Sequence, residues 1–165
     1  MKFTISSGHF LEKLNKVSAA LASNPVIPVL EDFLISSKDG HLSITASNLE
    51  LTITTQAEAQ ITSHGTIAIP GRTLMDTLKS LAEQPVQIEV NPDTNGIEIT
   101  SQSGKYKLVG EKSDDFPELS LPSNEDNISM TSESLLNAID RTAFATSNDE
   151  MRQAMKGICL NIDFN

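Results

Sequence analysis

Apolar positions recur in this chain in one compound pattern, used three times. In FTISSGHFLEKLNKV (Phe3 to Val17) two apolar residues flank a polar one, as in a short strand with one buried face. Ser7 follows as a helix N-cap, and Phe10, Leu11, Leu14 and Val17 then form the i, i+1, i+4, i+7 stripe of a one-faced helix. Shifted by 64 positions the pattern lies on Ile67 to Leu81; shifted by 125 it lies on Ile128 to Thr142, with no gap either time. Phe3, Ile67 and Ile128 share a slot, as do Ile5, Ile69 and Met130, the caps Ser7, Gly71 and Ser132, and the helix residues Phe10, Leu74 and Leu135. Self-similarity at a fixed period predicts stacked like units, each a strand, a tight turn and an amphipathic helix.

Between the repeats the period changes to two. Asn24-Pro25-Val26-Ile27-Pro28 predicts a rigid extended turn. Leu30–Ser36 reads as a strand, Lys38-Asp39-Gly40 as a hairpin turn, and His41–Ala46 as the returning strand. Leu49 to Ile61 alternates without interruption and predicts one long strand with Leu51, Ile53, Thr55, Ala57, Ala59 and Ile61 inward, in an antiparallel sheet with one wet face. In the second copy the helix is expected to stop near Gln84-Pro85, and Val86–Val90, Ile97–Ile99 and Tyr106–Leu108 read as strands. Both copies are thus strand, helix and three strands. The fold class expected is α+β, with tandem strand–helix–three-strand units and helices on one side of antiparallel sheets. The domain expectation is 1–120 for the first domain, made of units 1–63 and 64–111 and an acidic, proline-punctuated linker from Lys112 to Asn127. Residues 121–165 should open a second domain, with a strand from Met155 to Ile162, and the sequence reads as cut inside it.

Composition narrows the chemistry. Among 165 residues, 38% are hydrophobic, which suffices for a core, and no apolar run is long enough to cross a bilayer. One cysteine, Cys159, excludes an internal disulfide; in its apolar run it is expected to be buried and inert. Met1 leads directly into a strand pattern with no apolar leader, so an intracellular, cytoplasmic location without membrane partners is expected. The net charge of −10 argues against nucleic acid until its distribution is read. The segments 9–17, 72–81 and 132–141 hold five bases (Lys13, Lys16, Arg72, Lys79, Arg141) against four acids, whereas the rest of the chain holds seven against eighteen. The acidity belongs to strands and loops.

Candidate sites are few. Asn91-Pro92-Asp93-Thr94-Asn95-Gly96 has the oxygens and glycine of an opening calcium loop, but the closing position is the neutral Gln102 and the flanks have period two, so a hairpin turn is expected. His9, His41 and His64 have no metal-ligand spacing. No nucleophile, base and acid converge, so no catalytic residue, metal or cofactor is expected and the chain reads as a non-enzyme.

Met1-Lys2-Phe3-Thr4, Pro28-Val29-Leu30, Asp39-Gly40, Leu42-Ser43-Ile44 and Asp115-Phe116-Pro117, in this order and spacing, resemble the bacterial DNA polymerase III beta subunit family, the sliding clamps. The resemblance spans the whole chain. It implies the DNA-clamp fold, with two units per domain, three domains per chain and two chains closing a homodimeric ring around duplex DNA. It implies a processivity factor in DNA replication that holds DNA without reading sequence, with the DNA polymerase III alpha subunit and the clamp loader as partners of the full-length protein. It places Lys13, Lys16, Asn24, Arg72, Lys79 and Arg141 facing DNA, with the neutral Asn24 at a position often basic in the family. The edge strand Lys105, Tyr106, Lys107 and Leu108 would pair with the partner subunit, and lysines on an unpaired edge suit that role. Arg152 and Met155 would line part of a peptide pocket whose other walls lie outside these residues, so tight peptide binding is not expected. A free-standing α+β interaction module with no DNA role is the alternative, and a hydrolase with an unrecognised site is a third.

Overall fold

The computed structural model describes residues 1–23, 25–38, 40–117, 128–149 and 151–161. Contacts divide the chain into Met1–Ser120 and Leu121–Asn165.

The first unit holds β1 (Lys2–Ser6), α1 (Ser7–Val17), β2 (Asp32–Lys38), β3 (His41–Ser47), β4 (Thr52–Glu58), β5 (Gln60–Ser63), β6 (Gly65–Pro70), α2 (Gly71–Lys79), β7 (Pro85–Val90), β8 (Gly96–Ser101) and β9 (Gly104–Val109). They form two antiparallel sheets, in the orders β5-β1-β7-β8-β9 and β4-β3-β2-β6. The two copies of the repeat therefore exchange their first strands: β1 joins the strands that follow α2, and β6 joins those that follow α1. Residues of both sheets and both helices share one buried cluster, centred on Phe3, Phe10, Leu14, Phe33, Leu74 and Leu78. The Phe3 and Phe10 rings meet edge to face at 6.0 Å, a geometry aromatic quadrupoles favour.

The exchange is locked at the start of each helix. The helix-start slot holds Ser7 and Gly71, but neither is the cap. Ser6 caps α1, its hydroxyl accepting from the His9 amide, and Pro70 precedes α2. Ser7 is buried instead; its hydroxyl donates to the Ala82 carbonyl at 3.0 Å and accepts from the Gln84 amide at 3.1 Å, tying α1 to the segment after α2. Gly71 makes the reciprocal contact. A Cβ there would stand 2.8 Å from the Glu31 carbonyl oxygen and 2.8 Å from Leu21 Cδ1, so only glycine lets α2 start this close to the segment after α1.

Four expectations for this unit need correction. The strand expected at Leu30 begins at Asp32, because Pro28–Glu31 forms a 3-10 turn for which proline at its start supplies the dihedral. The helix expected to reach Gln84 ends at Lys79. The long strand from Leu49 to Ile61 is two strands: β4 pairs with β3, and past Ala59 the chain crosses to the other sheet, where β5 pairs with β1. The alternation stays in phase across the crossing because both sheets bury the same side. The linker expected from Lys112 is, in its first part, a folded strap. Glu111 pairs with Ala68, donating at 2.9 Å and accepting at 3.1 Å, and Phe116 is buried against Val29, Ala68 and Leu34. Residues 118–127 lie outside the described residues, as does Asp39 of the expected hairpin turn; that turn joins β2 to β3, with Lys38 opposite His41.

In the second unit α3 (Ser132–Asp140) is capped by Thr131, one residue before the expected Ser132. No residue of α3 is buried. The strands expected at Ile128–Met130 and from Met155 onward are absent among the described residues, where Gln153–Met155 is a 3-10 turn. A strand needs a neighbour for its backbone groups, and residues 128–149 and 151–161 offer none. Cys159, expected to be buried, is exposed for the same reason.

Candidate nucleic-acid interface

α1 and α2 lie side by side. Their stripes point into the core, leaving Lys13, Lys16, Arg72 and Lys79 on the outward sides with Lys13 half-buried and the others exposed. A shallow depression of about 370 Å³ runs between the end of α1 and α2, lined by Ser18, Leu21, Ser23, Arg72, Asp76 and Lys79. Lys16 is paired with Glu12 at 2.7 Å, and the hydrogen bond from Lys16 lowers the Glu12 pKa. Lys79 stands 3.6 Å from Asp76. Lys13 and Arg72 have no ion-pair partner among the described residues. Such exposed pairs are weak and exchange readily, so all four cations are available to a polyanion. Arg72 and Lys79 line that depression, and Lys13 and Lys16 lie on the neighbouring helix α1. Arg141 is the exposed C-cap of α3 in the second unit, and Asn24 lies outside the described residues.

Lys105–Leu108 lie in a strand at a sheet edge. β9 is the end strand of its sheet and pairs with β8 alone. Lys105 and Lys107 are exposed, while Tyr106 and Leu108 pack their inner sides on the core. Register aligns Lys2, Glu89, Glu98 and Lys107 in one row across the sheet. The like-charged neighbours Glu89 and Glu98 are each relieved by a lysine: Lys2 Nζ lies 2.9 Å from Glu89 and Lys105 Nζ 2.7 Å from Glu98. The Lys105 hydrogen bond lowers the Glu98 pKa, and Glu98 raises that of Lys105. Val109, at 71% exposure, extends the apolar edge one residue past the end of the expected strand.

In the second unit Arg152 and Met155 fall one turn apart, the Met155 amide donating to the Arg152 carbonyl at 2.9 Å. Both side chains are exposed, and Arg152 Nε lies 3.9 Å from Asp149. At Asn91–Gly96 the Asn91 side-chain oxygen accepts from the Asp93 amide at 2.9 Å and the Thr94 amide at 3.4 Å, closing the turn between β7 and β8. No cluster of three metal-ligating side chains occurs among the described residues, and none of their helices is long and apolar enough to cross a membrane.

Known proteins are similar to this chain in sequence and fold. The "Beta sliding clamp" of Synechococcus elongatus is 32% identical over 165 residues, 98% of this chain and 44% of the relative. That of Vibrio cholerae is 28% identical over 99% of this chain and 44% of its own length. The crystal structure of the DNA polymerase sliding clamp from Caulobacter crescentus superposes with a TM-score of 0.86 at 29% identity, covering 95% of this chain and 43% of that one. The DNA polymerase III subunit beta from Pseudomonas aeruginosa gives 0.87 at 27%, with the same coverage. The chain thus spans less than half the length of these relatives. Residues 1–120 match the family described as DNA polymerase III beta subunit, N-terminal domain, and the chain belongs to that family.

Proposed function

We propose that this chain is the leading part of a sliding clamp: a non-catalytic ring protein that encircles duplex DNA and tethers a replicative polymerase to it. One observation carries the reading. In a chain of net charge −10, the adjacent helices α1 and α2 carry Lys16, Arg72 and Lys79 exposed and Lys13 half-buried. These are point contacts for phosphates, with no array of bidentate side chains for base edges, which suits positioning without sequence readout. An acidic remainder discourages binding anywhere else. The proposal extends to β9 as the edge that pairs with a second subunit, to domain boundaries near residue 120 with Arg141 on a third DNA-facing helix, to Arg152 and Met155 as part of a peptide-binding wall, and to a cytoplasmic protein working with the polymerase and the clamp loader.

The test is topological. A ring containing this chain, assembled on nicked circular DNA, is expected to co-elute with the circle in gel filtration and to be lost once the circle is cut. Equal loss from circular and linear DNA, or no retention on either, overturns the reading in favour of an interaction module without a DNA role. Lys13→Glu with Arg72→Glu should weaken low-salt DNA association and reduce the slope of log affinity against log salt by about 1 per cation removed.

A further inference from the structure

Asp32 opens β2 on the outer face of its sheet, since Phe33 and Ile35 point into the core. That face should be wet, yet Asp32 is only 6% exposed and its Oδ2 has no hydrogen-bond partner among the described residues. Register places Asp32 beside a covered patch. Asp32 lies opposite Pro70, and the next residues on its face, Leu34 and Ala68, form the row to which Glu111 attaches. This is the patch covered by Val29 and by Phe116 of the strap. The strap reaches it through Gly110, where a Cβ would stand 2.5 Å from the Ala68 carbonyl oxygen. The charged groups facing Asp32 are Glu111 on the strap and Glu31 on the 3-10 turn, both acidic. Its neighbour on β6 is a proline, the titratable residue of β3, His41, sits at that strand's far end, and Lys112, Asp114 and Asp115 are exposed.

We propose that residues Glu111–Pro117 are a proton-dependent latch: they close over a neutral Asp32 and release when Asp32 ionises. A buried carboxylate with one oxygen unpartnered, near two other carboxylates, is costly. Lifting the strap solvates Asp32 and carries Glu111 away, so ionisation and release are one equilibrium. The latch decides whether residues 112–117 belong to the folded unit or to the connector that follows it.

The linkage has a definite sign. Burial first, then Glu111 and Glu31, raises the Asp32 pKa from 3.8 to about 7. The closed state therefore holds the proton more tightly. Its advantage is complete below the lower value, declines as pH rises between the two, and is gone above about 7. If the released carboxylate titrates at its ordinary value, the ratio of released to closed strap rises about tenfold between pH 6 and pH 8.5.

Hydrogen exchange by NMR on the whole chain tests this, with intrinsic rates corrected for pH. Protection of the Ala68 and Glu111 amides, which bond to each other's carbonyls, should fall about tenfold over that interval, while core amides of β2 and β3 stay constant. In Asp32→Asn the carboxyl is replaced by a neutral group of the same shape, and protection should be flat with pH. Glu111→Gln should keep the pH dependence with its midpoint moved down. If Asp32→Asn fails to fold, the carboxyl 13C shift of Asp32 in the unmodified chain decides: a midpoint near 7 supports the latch, and a midpoint near 4 overturns it. Identical pH profiles in the unmodified chain and Asp32→Asn also overturn it.

Discussion

The first two copies of the repeat and the third carry the same stripe and end in different states. Phe10 and Leu74 are fully buried, while Leu135 in the same slot is only half-buried. Leu14 and Leu78 are buried, and Ile139 is 38% exposed. Phe3 and Ile67 sit inside paired strands, whereas Ile128 is in irregular backbone. The difference teaches what the stripe does. It makes a helix competent to bury a face, but burial needs a sheet to pack on: α1 lies on β3 and β4, and α2 on β2 and β6. Copies one and two exchange first strands and complete each other. Among the described residues, copy three has no such partner, and its apolar side chains stay at the surface.

The largest expected effect of breaking this comparison comes from truncating the shared slot. Phe10→Ala removes a ring packed against Phe3 and should cost about 3–5 kcal/mol. Leu135→Ala, the same slot in the third copy, should cost less than about 1 kcal/mol, because its side chain already meets solvent. Urea denaturation of the two variants measures both. A Leu135→Ala cost above that of Phe10→Ala would mean that α3 is packed as firmly as α1.

A subtler break concerns the helix-start slot, which holds Gly71 in the second copy and Ser132 in the third. Gly71→Ala puts a methyl group 2.8 Å from the Glu31 carbonyl oxygen. A backbone atom cannot yield as a flexible side chain does, so a cost of about 1–3 kcal/mol is expected. Ser132→Ala meets no neighbouring segment and should change stability by about 0.5 kcal/mol or less. Thermal melts of both variants separate the outcomes; equal shifts would show that Gly71 is not a contact between the copies.

Much of the first unit was legible because periodicity records burial, although Leu51, expected inward, is 46% exposed and precedes β4. Partnership was not legible. β1 and β6 have the same pattern, so nothing local says that each joins the other copy's strands. Nor does the alternation through Ala57, Ala59 and Ile61 show that the chain changes sheet between β4 and β5, since phase is kept. The caps were misplaced by one residue because Ser6 and Ser7 are both plausible caps; long-range bonds to Ala82 and Gln84 assign Ser7 elsewhere. The linker composition of residues 112–127 hid the strap, although Phe116 among acids was a usable signal. For the candidate interface, charge sorting picked out cations that lie off the buried stripes of α1 and α2, because the stripe of a one-faced helix leaves its polar residues at the surface. It did not reveal Asp32, whose environment is built by a segment almost 80 positions away.

The smallest expected effect concerns what holds α3 in place of a sheet. A helix of nine residues is marginal in water without tertiary support. α3 has local devices: the Thr131 hydroxyl accepts from the Ser134 amide at 3.2 Å, and Glu133 lies in the first turn, where the helix dipole favours an anion. α1 has a similar cap in Ser6, but it also has a core. Ser6→Ala should therefore lower global stability by about 0.5–2 kcal/mol while α1 remains fully helical until the unit unfolds. Thr131→Ala should leave the midpoint of the first unit unchanged and reduce the helicity of residues 132–140 throughout the native range. Backbone chemical shifts at 25 °C read the two effects separately. Unchanged shifts over 132–140 in Thr131→Ala would mean that packing holds α3, and the contrast between the copies would then lie in burial alone.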